Sequence, residues 1–501
     1  KYWGVRAALL LLALLIAFAL WHGIENWRGH RAWEAAKDRL RAGGINLDIR
    51  DYYLPPIPDE ENFAKTESFE KYFSSSQRLS QMADPRQFKN PFDWGSNGHP
   101  LWPKIELGQR ADLTPISDSY ATNSPAIASL KTTGERVLAG MAPTDQAVNT
   151  LLRDLKKTQC HTGYLENHHG PFLNMQIPSF LNLRVACQNL NIRALALFSL
   201  NRNKEGFDLV MKSFDLADTL KNEPTLVACM IRVGIISLNL STVWEAITDE
   251  KLSSQQLLTL QNRLSKIHLD RDVTRSFKME TFYTVKIVEH FDETYFKEKF
   301  PFISPPHSGN SPGLKGVLEN TIETAEHLLQ KTVYELIPRG WHLQSAAKNI
   351  SLTHPPVIYS GADRPELFSN LKVLDKELHS PKRIFLAGDI LLIGAPNYAR
   401  AAILALRTQT YVRSAELACA LERYRLQYKT YPNSLAALVP QFIESLPLDP
   451  VDGKPLRYKW LSKDSYLLYS LGYNMADDGG TRSAKPDDPF APNGDWVWSI
   501  R

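Results

Sequence analysis

Cysteine is scarce. The chain carries 4 in 501 residues, Cys160, Cys187, Cys229 and Cys419, and no two stand at the CxxC spacing of a zinc ribbon, a redox pair or a c-type haem site. The redox class stays open. If the polar part lies outside the cytoplasm, Cys160 and Cys187 are placed to close a disulfide around His161, His168 and His169; buried thiols on helices are the equal alternative, and the preferred reading for Cys229 and Cys419. A charge excess is also missing. The 58 basic residues against 54 acidic ones leave a formal net of +4, and no run of Lys and Arg is interleaved with aromatics, so nucleic acid is not an expected partner. Linear catalytic signatures are absent as well: no GxSxG elbow, HExxH helix, Walker loop, dinucleotide fingerprint or kinase set occurs.

What is present begins with a run of apolar residues. Ala7 to Leu20 reads AALLLLALLIAFAL without a charge or a helix breaker, flanked by Trp3 and Trp21. A bilayer needs roughly 20 apolar residues, so Trp3 to Ile24 suffices for one crossing. No small-x-small cleavage site follows, and the helical pattern continues to Leu40, which predicts an uncleaved anchor over residues 1–25. Lys1 and Arg6 precede the run while Arg28, Arg31, Lys37, Arg39 and Arg41 follow it, opposite to the usual positive-inside bias.

With 43% hydrophobic and 22% charged residues, the rest of the chain has material for two or three packed domains. Gly43-Gly44 stops the first helix, and Pro55, Pro56 and Pro58 then predict an extended linker along a surface. Residues 85 to 125, rich in Pro, Gly, Asn and Trp, show no sustained period and are expected to be irregular and packed. Together these make a region over 26–140. From about 145 the spacing of apolar residues predicts helices, at Phe180 to Asn201 and around Phe207, Val210, Phe214, Ala217 and Leu220. A third is expected with Pro224 at its first position and a stripe of Leu226, Met230, Val233, Leu240, Trp244 and Ile247. A fourth opens on Ser253 and Gln256 as a capping box and continues with Leu257, Leu260, Leu264 and Ile267. Two helical hairpins in succession fit a bundle or a short stack of repeats. A further amphipathic stretch from Arg271 to about Lys299, a Pro/Gly/Ser linker and a helix over Gly316 to Ile337 complete a helical domain over 141–380.

Residues 381–501 differ in kind. A helical pattern from Tyr398 to Tyr428 is stopped near Pro432, Asn433 or Ser434 can cap a short helix with Leu435, Leu438 and Val439, and LPLDPVDGKPLRYKW and SYLLYSLG read as short strands with Asp-Pro and Asp-Gly turns between. This order, YP-x-SL-x-x-LVP, LPLDP-x-DGKPL-x-Y, YLLYSLG and then an acidic glycine loop, resembles the periplasmic part of type II secretion major pseudopilins over roughly the last 100 residues. The anchor, the LPPIPDEENFA element and the helices before this tail are also similar to membrane-anchored envelope proteins of planctomycetes and verrucomicrobia. The resemblance implies a helical spine wrapped by a small antiparallel sheet. It also implies a Ca²⁺ site among Asn474, Asp477, Asp478, Asp487, Asp488 and Asp495, since Ca²⁺ takes six to eight oxygens from carboxylates and loop carbonyls. Asn474 stands where the family has its first loop Asp, which lowers the expected affinity. The family places its module directly after a processed helix with an acidic fifth residue; Val5 and the long intervening region depart from that, so polymerisation into a pseudopilus is not implied.

The fold class expected is thus mainly α, with a transmembrane helix, helical hairpins and a small α+β C-terminal domain. The function expected is a non-catalytic scaffold or accessory subunit of a secretion-type membrane assembly, single-pass in the inner membrane with its bulk in the periplasm. It would contact other envelope proteins or itself. The alternative is an envelope hydrolase whose site no linear motif reveals. Its one candidate cluster is Cys160, His161, Glu166, His168 and His169, whose side chains include zinc and copper ligands.

Overall fold

Helix stops and starts follow the capping chemistry. Helix α1 (Tyr2–Ala42) runs unbroken and ends in a Schellman turn: Gly44 sits at φ +79°, its N–H donates to Arg41 O at 2.9 Å, and the Ile45 N–H donates to Leu40 O at 3.0 Å. Only glycine takes that conformation without a steric cost. Ile45 and Leu40, the apolar pair that accompanies such a turn, are both buried. The computed structural model describes residues 2–73, 105–157, 159–167, 178, 180–289, 338–353, 390–485, 488 and 490–500.

The proline segment that follows is tied down rather than loose. Asn62 caps the short turn Phe63–Lys65, exchanges hydrogen bonds with the His161 backbone (2.8 and 3.0 Å), and hands on to Phe63, Phe69 and Phe73, all inside the core. Beyond it come α2 (Thr114–Asn123), α3 (Pro125–Ala128), α4 (Thr133–Met141) and α5 (Asp145–Asp154). Among the described residues, a helix therefore stands at Thr114–Asn123, inside the stretch expected to be irregular. Helix α2 buries only Ile116 and Ser117, too narrow a stripe to register as a period, and α4 is set by a Thr132/Glu135 capping box.

Of the two expected hairpins, α6 (Leu181–Ser199) with α7 (Asn203–Asp218) forms, whereas after α8 (Leu226–Thr248) helix α9 (Ser254–Leu264) packs on the later helix Ile390–Tyr428 and not back on α8. Ser253 and Gln256 make the capping box as expected. Helix α8 is capped by the Thr225 hydroxyl, not begun at Pro224, which lies one residue outside. Helix α10 (Leu269–Glu289) follows, then α11 (Arg339–Thr353), which the sequence pattern did not suggest. The remainder of the Arg271 to Lys299 stretch, the Pro/Gly/Ser linker and the Gly316 to Ile337 helix lie outside the described residues.

Helix α12 (Ile390–Tyr428) starts earlier than expected and packs against α8, α9 and α10. From Ala401 to Glu422 the side chains are buried or half-buried, so over this stretch the helix has no exposed face and lies at the centre. Lys429 closes it in the left-handed region, φ +63°. Strands β1 (Arg457–Ser462), β2 (Ser465–Ser470) and β3 (Trp496–Ile500) make an antiparallel sheet in the order β1-β2-β3. Strand β3 was not anticipated: all five of its residues are buried, which removes the alternation that marks a half-buried strand. One apolar core holds Trp33 of α1, Phe214, Leu240 and Leu421 of the helices and Trp498 of the sheet.

Candidate functional sites

The first candidate is the exit of α1 from its apolar run. Leu9 to Leu15, Ile16, Leu20 and Ile24 stand exposed, an apolar surface of the length that crosses a bilayer. One residue later the helix enters the body. Glu25 is buried and accepts from Trp341 Nε1 (3.0 Å), Gln344 Nε2 (3.1 Å) and Arg28 Nη1 (2.8 Å). Asn26 Oδ1 accepts from the Gly340 N–H at 2.9 Å. Gly29 and Gly340 let the two backbones touch: a Cβ on Gly29 would lie 2.2 Å from Gly340 Cα, and one on Gly340 would lie 1.9 Å from Glu25 O. Trp21 and Trp341 meet edge to face, centroids 5.6 Å apart. Helix α8 also has the length and composition to cross a membrane, but two-thirds of its apolar window is buried, as a core helix requires.

The second is the acidic turn between β2 and β3. Among the described residues its side chains are taken up singly by nearby donors. Asn474 Oδ1 accepts from Ala476 N (3.1 Å), Asp477 Oδ1 from Gly479 N (2.9 Å) and Asp488 Oδ1 from Phe490 N (3.0 Å). Asp478 Oδ2 accepts from Asn474 Nδ2 (2.8 Å) and Gly494 N (2.7 Å), and Asp495 from Asp478 N (3.4 Å) and Gly480 N (2.6 Å). Asn474, Asp478 and Asp495 are thereby drawn next to one another. No group of three His, Cys, Asp or Glu converges among the described residues, and Asp487 lies outside them. A cation here would have to exchange local N–H bonds for its own coordination.

The third is the loop named from sequence. All four cysteines are free and buried, so Cys160 and Cys187 form no disulfide. Cys187 sits instead among Asn191, Ser213 and Asn239 between α6, α7 and α8. Burial and the nearby Glu223 carboxyl push the Cys160 thiol well up, the opposite of an activated nucleophile. His161 Nε2 lies 2.9 Å from Glu166 Oε1, which also accepts from Leu54 N at 3.2 Å; His168 and His169 lie outside the described residues. The residue that sequence reading missed is Glu223, in the turn before α8. It is 1% exposed, and its two oxygens, Thr162 Oγ1 and Tyr164 OH are buried without a hydrogen-bond partner among the described residues. Burial, then the Glu166 charge, push its carboxyl up to about 8; Tyr164, Arg275 and Thr162 pull the other way. Nothing in the sequence around Glu223 marks it: a Glu before Pro-Thr at a helix start reads as solvated. Chemically Glu223 is a buried carboxylic acid held toward its protonated form.

The fourth is a cleft of about 540 Å³ along the outer edge of β3, walled by Trp244, Arg110, Leu467 and Arg482. Its outward strand carbonyls are already engaged: Trp244 Nε1 donates to Ser499 O (2.9 Å) and Arg482 Nη2 to Val497 O (3.2 Å). Such side-chain caps blunt an edge strand against further pairing.

Compared with family models, curated proteins and solved structures, the chain matches none.

Proposed function

We propose that the chain is a membrane-anchored, non-catalytic scaffold or accessory subunit of an envelope assembly. The observation that carries this reading is the continuity of α1: one helix passes from an exposed apolar run into the core, where Trp33, Ala36 and Leu40 are buried. An anchor joined in this way transmits the orientation of the membrane to the whole body instead of tethering it by a linker. The order of α12, β1, β2, acidic turn and β3 supports the pseudopilin-like reading of the tail. A filament role fits less well, because α8, α9, α10 and the sheet already cover the long helix. We place the anchor in the inner membrane and the body in the periplasm as part of this proposal.

The test is fractionation followed by mild-detergent purification of the full chain. Retention in the membrane pellet through alkaline carbonate, and co-purification of defined partners or of further copies, is the expected result. A monodisperse monomer without partners would argue strongly against a scaffold. The hydrolase alternative draws on the buried Glu223 carboxyl; a Glu223→Gln variant that abolished turnover on ester, peptide or glycoside substrates would favour it.

A further inference from the structure

The junction of α1 and α11 is more than a mechanical joint, and its role at a membrane surface rests on the anchor proposed above. Ile24 ends the exposed apolar run. Arg28 and Arg31 come one and two turns later, about 6 and 10 Å along the helix axis. A headgroup layer has that depth, since a hydrocarbon core of about 30 Å grows to roughly 40–45 Å with both polar layers. The Arg28 side chain is 59% exposed, Arg31 is exposed, and the Arg31 guanidinium lies 5.5 Å over the Trp27 ring, one turn back toward the apolar run. The Gly29–Gly340 contact fixes the first turn of α11 at the same height, which brings Arg339 and Trp341 to the level of residues 25 to 29. Three arginines therefore gather at this level, and Glu25 beside them is shared between Arg28 Nη1 and the inward donors of Trp341 and Gln344. The next charges along α1, Glu34 and Lys37, pair with each other at 2.9 Å.

We infer that Arg28, Arg31 and Arg339, with Trp21, Trp27 and Trp341, form a collar that binds anionic phospholipid headgroups. The chemistry is that of an interfacial site. Guanidinium groups engage phosphate through paired N–H donors, tryptophans settle at the glycerol level, and the long arginine stems reach back toward the surface. Because α11 shares the collar, the lipid contact holds the body against the bilayer in one orientation.

The full chain is reconstituted in nanodiscs of phosphatidylcholine containing a minority of phosphatidylglycerol, and the lipids it retains on extraction into detergent are counted by native mass spectrometry. The expected result is enrichment of phosphatidylglycerol over the disc composition, weakened by salt, with a loss of about fivefold in preference per arginine removed. Arg28→Gln/Arg31→Gln/Arg339→Gln should return the ratio to that of the mixture while the protein stays in the disc. The single exposed change Arg31→Gln, with an unchanged melting temperature, keeps the test clear of misfolding. Enrichment absent from the unaltered chain, or unchanged in both variants, overturns the collar and leaves the anchor standing. A chain that does not enter discs and is released by carbonate overturns the anchor reading, and the collar with it.

Discussion

Buried ionisable groups set the strongest expectations for single residues. Glu223 has its folded-state pKa raised from 4.5 to about 8. The native state therefore binds the extra proton between those values, and stability falls as pH rises from about 4.5 through 8 and levels off above. The size is on the order of 4 kcal/mol if the group acts alone. Glu223→Gln, which keeps the shape without the charge, should flatten that decline; denaturant midpoints at acid, neutral and mildly alkaline pH would show it, and an unchanged slope would mean that other carboxyls dominate. Asp449 contributes differently. It is fully buried and accepts from Val451 N (2.9 Å) and Ser470 Oγ (2.9 Å), with Arg457 Nη1 at 2.9 Å. Asp449→Ala leaves the half-buried Arg457 with Asp452 alone and takes the acceptor from the buried Val451 N–H and Ser470 hydroxyl, and should cost about 1–3 kcal/mol by the same midpoints. The Asp-Pro and Asp-Gly turn was legible as a turn. That its first Asp lies inside was not, because burial depends on Ser470 and Arg457 arriving from elsewhere in the chain.

At the level of elements, the sequence was readable wherever capping residues and a broad apolar stripe coincide. The α8 stripe and the Ser253–Gln256 box are such cases, and Ser253→Ala should lower stability by about 1 kcal/mol, measured by thermal unfolding. It was unreadable where an element is buried on every side or on almost none: β3 lacks alternation, and α2 shows two buried residues. The acidic turn tests the resemblance directly. Its carboxylates already hold the turn through Asx-type bonds, so chelator treatment should leave the melting temperature unchanged; a rise of several degrees on adding calcium would mean that Asp477 and Asp488 give up their N–H partners to a cation.

For the whole molecule, the docking of α1 on the body hinges on two glycines that sequence alone could not pair, since 310 residues separate them in the chain. Gly29→Leu puts side-chain atoms where the Gly340 backbone lies. The variant should still fractionate with membranes, yet lose the α1–α11 dock, read as loss of Trp341 and Gln344 protection in hydrogen exchange. Unaltered protection would place the rigidity elsewhere. The bond between Trp244 and Ser499 bears on how such a molecule is made. The carbonyl that this central tryptophan requires is made 255 residues after the tryptophan itself. Closure of the interior therefore waits for β3: until that strand is made, the apolar flanks of α8 and then of α12 stay uncovered, and the growing chain needs shelter from chaperones or neighbours.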